Sequence, residues 1–427
     1  MTVTTLSRVS PVHGGLKALV HRITGGSADA AAWAKLPAVD VNDNDRTSLY
    51  RIGDGTLSPL TGPMGKSDYR SVLDKSAIFR EGKAWAWTIP IILPVTDAEA
   101  AKCKVGSEVA LAFEGKVFGK LLVDSVYEWD QKEFVRVVYG TDRLDHPGAR
   151  LWTGDPRKKL VGGEVTLVPF VDARPFAGRI LSPLGTRALL DKKGYEQSVA
   201  FQTRNPLHRA HEYALIYGAE KILRETGKKT GVVLNPLVGQ LKGDDVPADV
   251  RMQTYEALVD GRFLGQGDMD EALWKKHRQN LNDQLHLIGL DIRMYYGGPK
   301  EAAMHAIYRQ NLGFTHFIIG RKHADAPFDD KSPIWGDFDA QEIFQHLGGG
   351  LSIRTVNVGF AAYFEQIGRV GLVEENPGKT QVSISGTKIR ELLGKGELPD
   401  ARVMRPSTAK VLAAYYQRAD EQKQAKG

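Results

Sequence analysis

The chain has 427 residues, 42% hydrophobic and 25% charged, with a formal net charge of +6. It is long enough for two or three domains around a large core, and its composition is that of a soluble globular protein. Its basic residues do not gather in the runs of a nucleic-acid binder, so the small positive surplus suits anionic small molecules or a plain solvated surface. The single cysteine, Cys103, excludes an intrachain disulfide and a cysteine-rich metal site. The first 15 residues lack an apolar signal core, and no run of about 18 apolar residues occurs. A cytoplasmic protein with no membrane partner is expected.

Up to residue 175 the chain reads as short strands broken by Gly, Pro and Asp. The expected strands are Trp85–Val95, Glu108–Phe113, Lys116–Val126 and Glu133–Val138, with Asp145–Gly148 and Gly162–Gly163 as turns. This predicts a mostly β domain over residues 1–175. From about residue 176 the rhythm becomes strand, loop, helix. Strands are expected at Ser198–Gln202, Thr230–Leu237, Asp291–Tyr295 and Thr315–Ile319, and helices at Leu207–Arg224, Pro299–Asn311 and Ala340–His346. Such alternation predicts a parallel sheet with helices on both faces, spanning residues 176–350, and ligands at the carboxyl ends of its strands. A third unit, 351–427, carries Ser385–Arg390 at the start of another helix and ends in a polar tail.

The strand-to-helix loop Gln202-Thr203-Arg204-Asn205-Pro206 concentrates polar groups where a polyphosphate can lie. Pro206 suits the first position of a helix. His208 and His211, three apart, share one face beside the amide groups and positive dipole end of that helix. Arg204 brings a planar donor fork that grips a tetrahedral oxyanion, while Gln202 and Asn205 add neutral donors. The alternative is that the two histidines only cap the helix. A second loop, Gly320-Arg321-Lys322-His323-Ala324-Asp325, leaves the fourth strand. Alone it reads as a basic surface loop; at the same sheet edge it becomes a second wall, with Gly320 allowing a tight exit. Ser385-Gly386-Thr387 is a phosphate-facing helix start or an ordinary cap. Lys242–Asp245 is a polar turn, or places Asp244 or Asp245 near Mg²⁺. No Walker A segment or G-x-S-x-G elbow is present, and one cysteine leaves little thiol chemistry.

Taken together, these motifs resemble the ATP sulfurylase family. Gln202–Pro206 with His208 and His211 is similar to its signature, a variant of the H-x-G-H motif of nucleotidylyl transferases. Leu57–Gly62 resembles its SPL-x-G segment, Ile89–Ile91 its W-x-I-P-I strand, Gly298–Ala302 with His305 its G-P-R/K-E-A helix, and Ile384–Arg390 its S-G-T-x-x-R segment. The resemblance implies a multidomain α/β protein: a PUA-like, β-rich N-terminal domain, a Rossmann-like nucleotidylyl transferase catalytic domain and a small C-terminal α/β domain. It implies ATP + sulfate ⇌ adenosine 5′-phosphosulfate + pyrophosphate, in either direction, with Mg²⁺ accompanying ATP. By the same resemblance Gln202, Arg204 and Ala324 hold sulfate, and Thr203, Arg204, Asn205, His208 and His211 are catalytic. Gln202, Asn205, Gly320, Arg321, Lys322 and His323 bind the nucleotide, with the adenine near Val358–Phe360. The short members suggest a homodimer.

Three departures from the family pattern stand out. The nucleotide loop usually reads G-R-D-H-A-G, and Lys322 and Asp325 replace its Asp and second Gly. The cysteine cluster that many short bacterial members carry is missing from Ala361–Glu375, so no zinc is expected. An extra segment, about Gly265–Leu287, places Met269, Leu273, Leu281 and Leu285 on one helical face, for packing or a subunit contact. No adenylylsulfate kinase-like domain is expected after residue 395. Two other readings compete: transfer of AMP to a nucleotide or pantetheine-type acceptor, and RNA binding through the PUA-like part. The first lacks a use for the Gln202/Arg204 grip; against the second, the first 175 residues show no aromatic-basic interleaving.

Overall fold

The computed structural model describes residues 9–239, 246–382, 384 and 386–424. Lys242–Asp245 and Ser385 therefore lie outside the described residues. No helix among the described residues is long and apolar enough to cross a membrane.

The first part of the chain contributes β1 (Ala38–Asp40), the hairpin β2 (Ala77–Arg80) and β3 (Lys83–Ala86), then β4 (Pro94–Val95), β5 (Glu108–Phe113), β6 (Lys116–Glu128) and β7 (Lys159–Leu167). Five of these form one sheet in the order β1-β5-β6-β7-β4. Three local expectations are corrected here. Residues 133–138 are not a strand but lie in the helix Gln131–Tyr139. Phe134, Val135, Val138 and Tyr139 recur at helical spacing and are buried, Asp130 caps the first turn, and Gly140 closes the last with φ +69°. The expected strand Trp85–Val95 is split into β3 and β4, because Pro90, which lies between them, lacks a ladder donor. Gly162–Gly163 is not a turn but lies inside β7. A Cβ on Gly162 would stand 2.5 Å from Gly65 Cα, and one on Gly163 2.1 Å from the Leu122 carbonyl, so glycine is needed for close backbone approach.

The second sheet comprises β8 (Gln197–Phe201), β9 (Thr230–Leu234), β10 (Leu285–Leu287), β11 (His316–Ile319) and β12 (Arg354–Asn357), in the order β10-β9-β8-β11-β12. Every pairing in it is parallel. Alternate residues of β8 serve opposite faces. Val199 and Phe201 pack with Leu215, Ile216 and Ala219 of the helix Arg209–Thr226, while Ala200 joins the core shared with the first sheet and the helix Gly298–Asn311. The expected strand at Asp291–Tyr295 is corrected to β10, a few residues earlier. Side chains take up the backbone of 291–295 instead of a ladder: Tyr295 N–H donates to Glu301 Oε1 at 2.9 Å, and the Tyr295 carbonyl accepts from Tyr139 Oη at 2.8 Å. The expected helix Ala340–His346 is a short turn, Asp339–Glu342, followed by a 3₁₀ turn.

The extra segment forms two short helices, Glu271–Lys276 and Leu281–Gln284, leading into β10, rather than one continuous amphipathic helix. Leu273, Leu281 and Leu285 are buried in this chain's own core and Met269 packs against it, so the packing role holds. Beyond β12 a small antiparallel sheet is made by β13 (Ala361–Phe364), β14 (Arg369–Leu372) and β15 (Gln381–Val382). The helices Gly386–Gly394 and Pro406–Gln424 follow and share a small core with Val250. First and second sheets are joined through buried charge: Asp45 accepts from Arg157 at 2.7 Å and from Arg293 at 3.2 Å.

Burial also sets how the fold answers pH. Of 11 histidines, eight have their pKa lowered, each chiefly by burial. His13 and His146, both fully buried, fall from 6.5 to about 4. The unfolded chain protonates these rings below about pH 6.5 and the folded chain only near pH 4, so their contribution is complete above pH 6.5 and is lost as pH falls through that window. The thermal midpoint is predicted to fall by roughly 10 °C between pH 7 and pH 4.5, followed by calorimetry. A flat profile over that interval would contradict the assignment of buried, neutral histidines.

Candidate active site

Because β8 lies between β9 and β11, the loops leaving β8 and β11 emerge side by side at one sheet edge. They line one pocket of about 340 Å³, closed on a third side by Val358, Gly359, Phe360 and Ala361 after β12. The site residues expected in these two loops all line it: Gln202, Thr203, Arg204, Asn205, His208 and His211 from one, and Gly320, Arg321, Lys322, His323 and Ala324 from the other. Phe201, Ala210, Ala214, Met294 and Asp325 complete the wall. The apolar members gave no sign in the sequence, since they differ in no way from core residues.

The first loop is braced from inside. The Thr203 carbonyl accepts from Leu237 N–H at 2.9 Å, prolonging the pairing beyond the strand end. Thr203 Oγ1 donates to the Asn205 carbonyl at 2.9 Å and accepts from Asn205 N–H at 3.2 Å, and Tyr255 Oη donates to the same carbonyl at 2.9 Å. Thr203 is buried and its hydroxyl is occupied by the loop itself. Arg204 donates from Nη2 to the Asp325 carbonyl at 3.3 Å, and its guanidinium carbon lies 5.2 Å from the centre of the Tyr296 ring. Held on two sides, it keeps Nη1 buried with no hydrogen-bond partner among the described residues. Gln202 Oε1 and His211 Nδ1 are buried and unpartnered in the same way. A buried polar atom left unpaired costs roughly 1–3 kcal/mol. With Asp325 Oδ1, four such atoms surround one pocket and are left for a polar ligand to pair.

The helix that carries the histidines begins at Arg209, with His208 as its N-cap, so Pro206 stands in the loop before the helix rather than at its first position. The His208 and His211 rings stack, their centres 3.8 Å apart and their planes at 23°. Burial lowers His208 to about 4 and His211 well below its usual value, the latter also through His208 and Arg321. At neutral pH both rings are therefore uncharged donors and acceptors, not fixed cations. The helix end offers fewer amides than expected. Arg209 N–H donates to the Val403 carbonyl at 2.7 Å, and the His211 and Glu212 amides return to the His208 carbonyl. The Ala210 amide, at the pocket wall, keeps no partner among the described residues.

In the second loop the left-handed positions are Lys322 (φ +49°) and Ala324 (φ +56°). Gly320 is not left-handed, and a Cβ there would meet nothing within 4 Å, so its value is open room rather than a tight exit. Arg321 lies 3.9 Å over the Phe360 ring and 3.6 Å from Asp337, which Lys322 also approaches at 3.5 Å. Asp337 thus ties down the lysine that replaces the family's aspartate. Asp325 N–H donates to the Lys322 carbonyl at 3.2 Å, closing the turn, and burial raises its carboxyl above the usual range.

Behind the pocket, His323 Nε2 and His305 Nδ1 are 3.0 Å apart, and His305 Nε2 is 3.3 Å from Glu301 Oε1. Glu301 also accepts from the Tyr295 and Gly297 amides, and burial, opposed by those bonds, raises it to about 7. Sequence reading placed Glu301 and His305 in a family motif without a job; their i, i+4 spacing on a helix was the available signal. The helix start at Gly386 contributes no described residue to the pocket.

Residues 178–415 match the ATP-sulfurylase family, and residues 9–169 match a PUA-like domain. A sulfate adenylyltransferase of Pyropia yezoensis is 64% identical over 96% of this chain and 98% of that protein. One from Symbiobacterium thermophilum is 37% identical over 95% of this chain and 96% of its own length. A structure titled as a hexameric APS kinase from Thiobacillus denitrificans shares the fold, with a TM-score of 0.69 over 95% of this chain and 68% of that one, at 19% identity. With one family match spanning residues 178–415 and a relative 64% identical along nearly the whole length, this chain belongs to the ATP-sulfurylase family.

Proposed function

We propose that this chain is a sulfate adenylyltransferase: sulfate attacks the α-phosphorus of ATP in line, pyrophosphate leaves from the opposite side, and adenosine 5′-phosphosulfate forms. The observation that carries this reading is the convergence of Arg204 Nη1 and His211 Nδ1, both buried and without a partner among the described residues, on one pocket at the strand edge that Gln202 also lines. Sulfate is already deprotonated and both reactants are anions, so the reaction needs no general base. It needs positioning and donors fixed where charge gathers.

In this assignment Gln202 and Arg204 grip the sulfate, with Ala324 beside it. Thr203 and Asn205 keep the loop in shape, as their mutual hydrogen bonds suggest. His208 and His211, uncharged at neutral pH because burial lowers their pKa, donate to the phosphates. Gly320, Arg321, Lys322 and His323 face the nucleotide, and the adenine lies against Val358–Phe360, which line the same pocket. Among the described residues no three His, Cys, Asp or Glu side chains are grouped to hold a metal. Mg²⁺ is accordingly assigned to the phosphates of ATP, as part of the substrate. No zinc is assigned.

The domain division at 175 and 350 is part of the proposal; the PUA-like match ends at 169 and the ATP-sulfurylase match begins at 178. A cytoplasmic location and a homodimer rest on the lone buried thiol and on the resemblance to short family members.

With pyrophosphatase present, the purified chain is expected to accumulate adenosine 5′-phosphosulfate from ATP and sulfate, read by chromatography; AMP alone, or no product, would overturn the assignment. Arg204→Ala should lower turnover by about 10²–10³-fold in a folded protein, whereas near-normal activity would remove the sulfate grip. His208→Ala and His211→Ala should each reduce kcat more than they raise the KM for ATP. The reverse pattern in steady-state kinetics would make them binding residues only.

A further inference from the structure

The histidine turn has a second side. His208 and His211 line the pocket, and the residues next to them, Arg209 and Glu212, are held from behind by buried charge. Asp268, in the extra segment after the helix Ala248–Val259, is the centre of that grip, with its side chain wholly buried. Its Oδ1 accepts from Arg209 Nη2 at 2.5 Å and from Val370 N–H at 2.8 Å, and its Oδ2 from Arg209 Nε at 2.8 Å and Arg405 Nη2 at 3.4 Å. Arg405 in turn donates from Nε to Glu212 Oε2 at 2.6 Å and from Nη2 to the Gln266 carbonyl at 3.0 Å. Gly265 N–H donates to the same Glu212 oxygen at 3.1 Å. The segment just before Arg405 supplies the Val403 carbonyl that caps Arg209 N–H.

We propose that Asp268 and Arg405 are positioning residues that fix the His208/His211 turn against the phosphates, so that the extra segment serves the reaction and not only packing. The proposal rests on the reading of the two histidines given above. Three elements distant in sequence meet at one carboxylate: the helix Arg209–Thr226 through Arg209, β14 through Val370, and the segment leading into the helix Pro406–Gln424 through Arg405. A surface ion pair is worth little, but here the charges are buried and each contact is charge-assisted, so removing one partner leaves the others uncompensated and free to turn. His208 has no side-chain cap bond of its own to fix the turn, and the N-terminal amide of the helix is satisfied from the same network. Rotation of this first turn moves both rings at once, and a displacement of about 1 Å of a catalytic group lowers rate by up to about 10²-fold.

The test is a cycle in the full-length chain. Asp268→Asn keeps the size of the side chain and an acceptor for Val370, but removes the charge that binds both arginines. It is expected to lower kcat about tenfold while the KM for ATP and sulfate changes by less than about threefold. In the His208→Ala/His211→Ala background the same substitution should cost less than about twofold, since the groups it positions are gone. An equal factor in both backgrounds, or no loss in either, overturns the proposal. Where Asp268→Asn fails to fold, Arg405→Gln serves, because it leaves the Asp268–Arg209 pair in place. Ring ¹⁵N spectra of labelled histidine, assigned with the single His208 and His211 variants, give a readout independent of turnover. The His208 and His211 signals should move in Asp268→Asn while those of His305 and His323 stay. If the double histidine variant loses no activity, the catalytic reading of the histidines fails, and these spectra alone decide whether Asp268 positions them: unmoved rings overturn it.

Discussion

Strand β8 pairs in parallel with β9 on one edge and with β11 on the other, and that double pairing fixes where the two polar loops end. Each loop leaves its strand at the carboxyl end, so two segments more than a hundred residues apart face each other across one pocket. A parallel order β10-β9-β8-β11-β12 requires that the chain reverse its direction of growth at β8, and the crevice opened there is where an anionic ligand can reach backbone and side-chain donors without disturbing the sheet. The helices Arg209–Thr226 and Gly298–Asn311, one on each face, then deliver the histidines from one side and the Glu301–His305 pair from the other.

Charge at the pocket is managed by burial more than by net positive surplus. The histidines are neutral because their surroundings exclude water, and Arg321 and Lys322 share Asp337. Arg204 is the cation whose free arm points into covered space, oriented by the Asp325 carbonyl and the Tyr296 ring. A site built in this way is poised: its donors are in place and underused, and a polyanion supplies the partners that the protein withholds. The same burial makes the fold sensitive to acid through His13 and His146, which are far from any role in the reaction.

Much of the pocket's lining was legible in the sequence because its polar residues stand next to each other in the two loops. Strong parallel strands were legible too, since buried runs such as Thr230–Leu234 carry little else. What the sequence hid was set by distant contacts. Residues 133–138 are rich in β-branched side chains, yet the Asp130 cap and a helical spacing of apolar residues decide their state. Gly162 and Gly163 look like a turn, and only the approach of Gly65 and Leu122 shows why a strand needs them. Asp268 was invisible for the same reason, as its partners Arg209, Val370 and Arg405 are 59, 102 and 137 residues away. The amide count at the helix end was also overestimated, because the Val403 carbonyl that takes one of them comes from the far end of the chain.

In the proposed reaction sulfate attacks ATP directly, with no nucleophile of the protein intervening. Exchange of labelled pyrophosphate into ATP measures this. Exchange is predicted to require sulfate strictly and to be lost in Arg204→Ala; exchange in sulfate-free solution would reveal an adenylylated enzyme and contradict the mechanism.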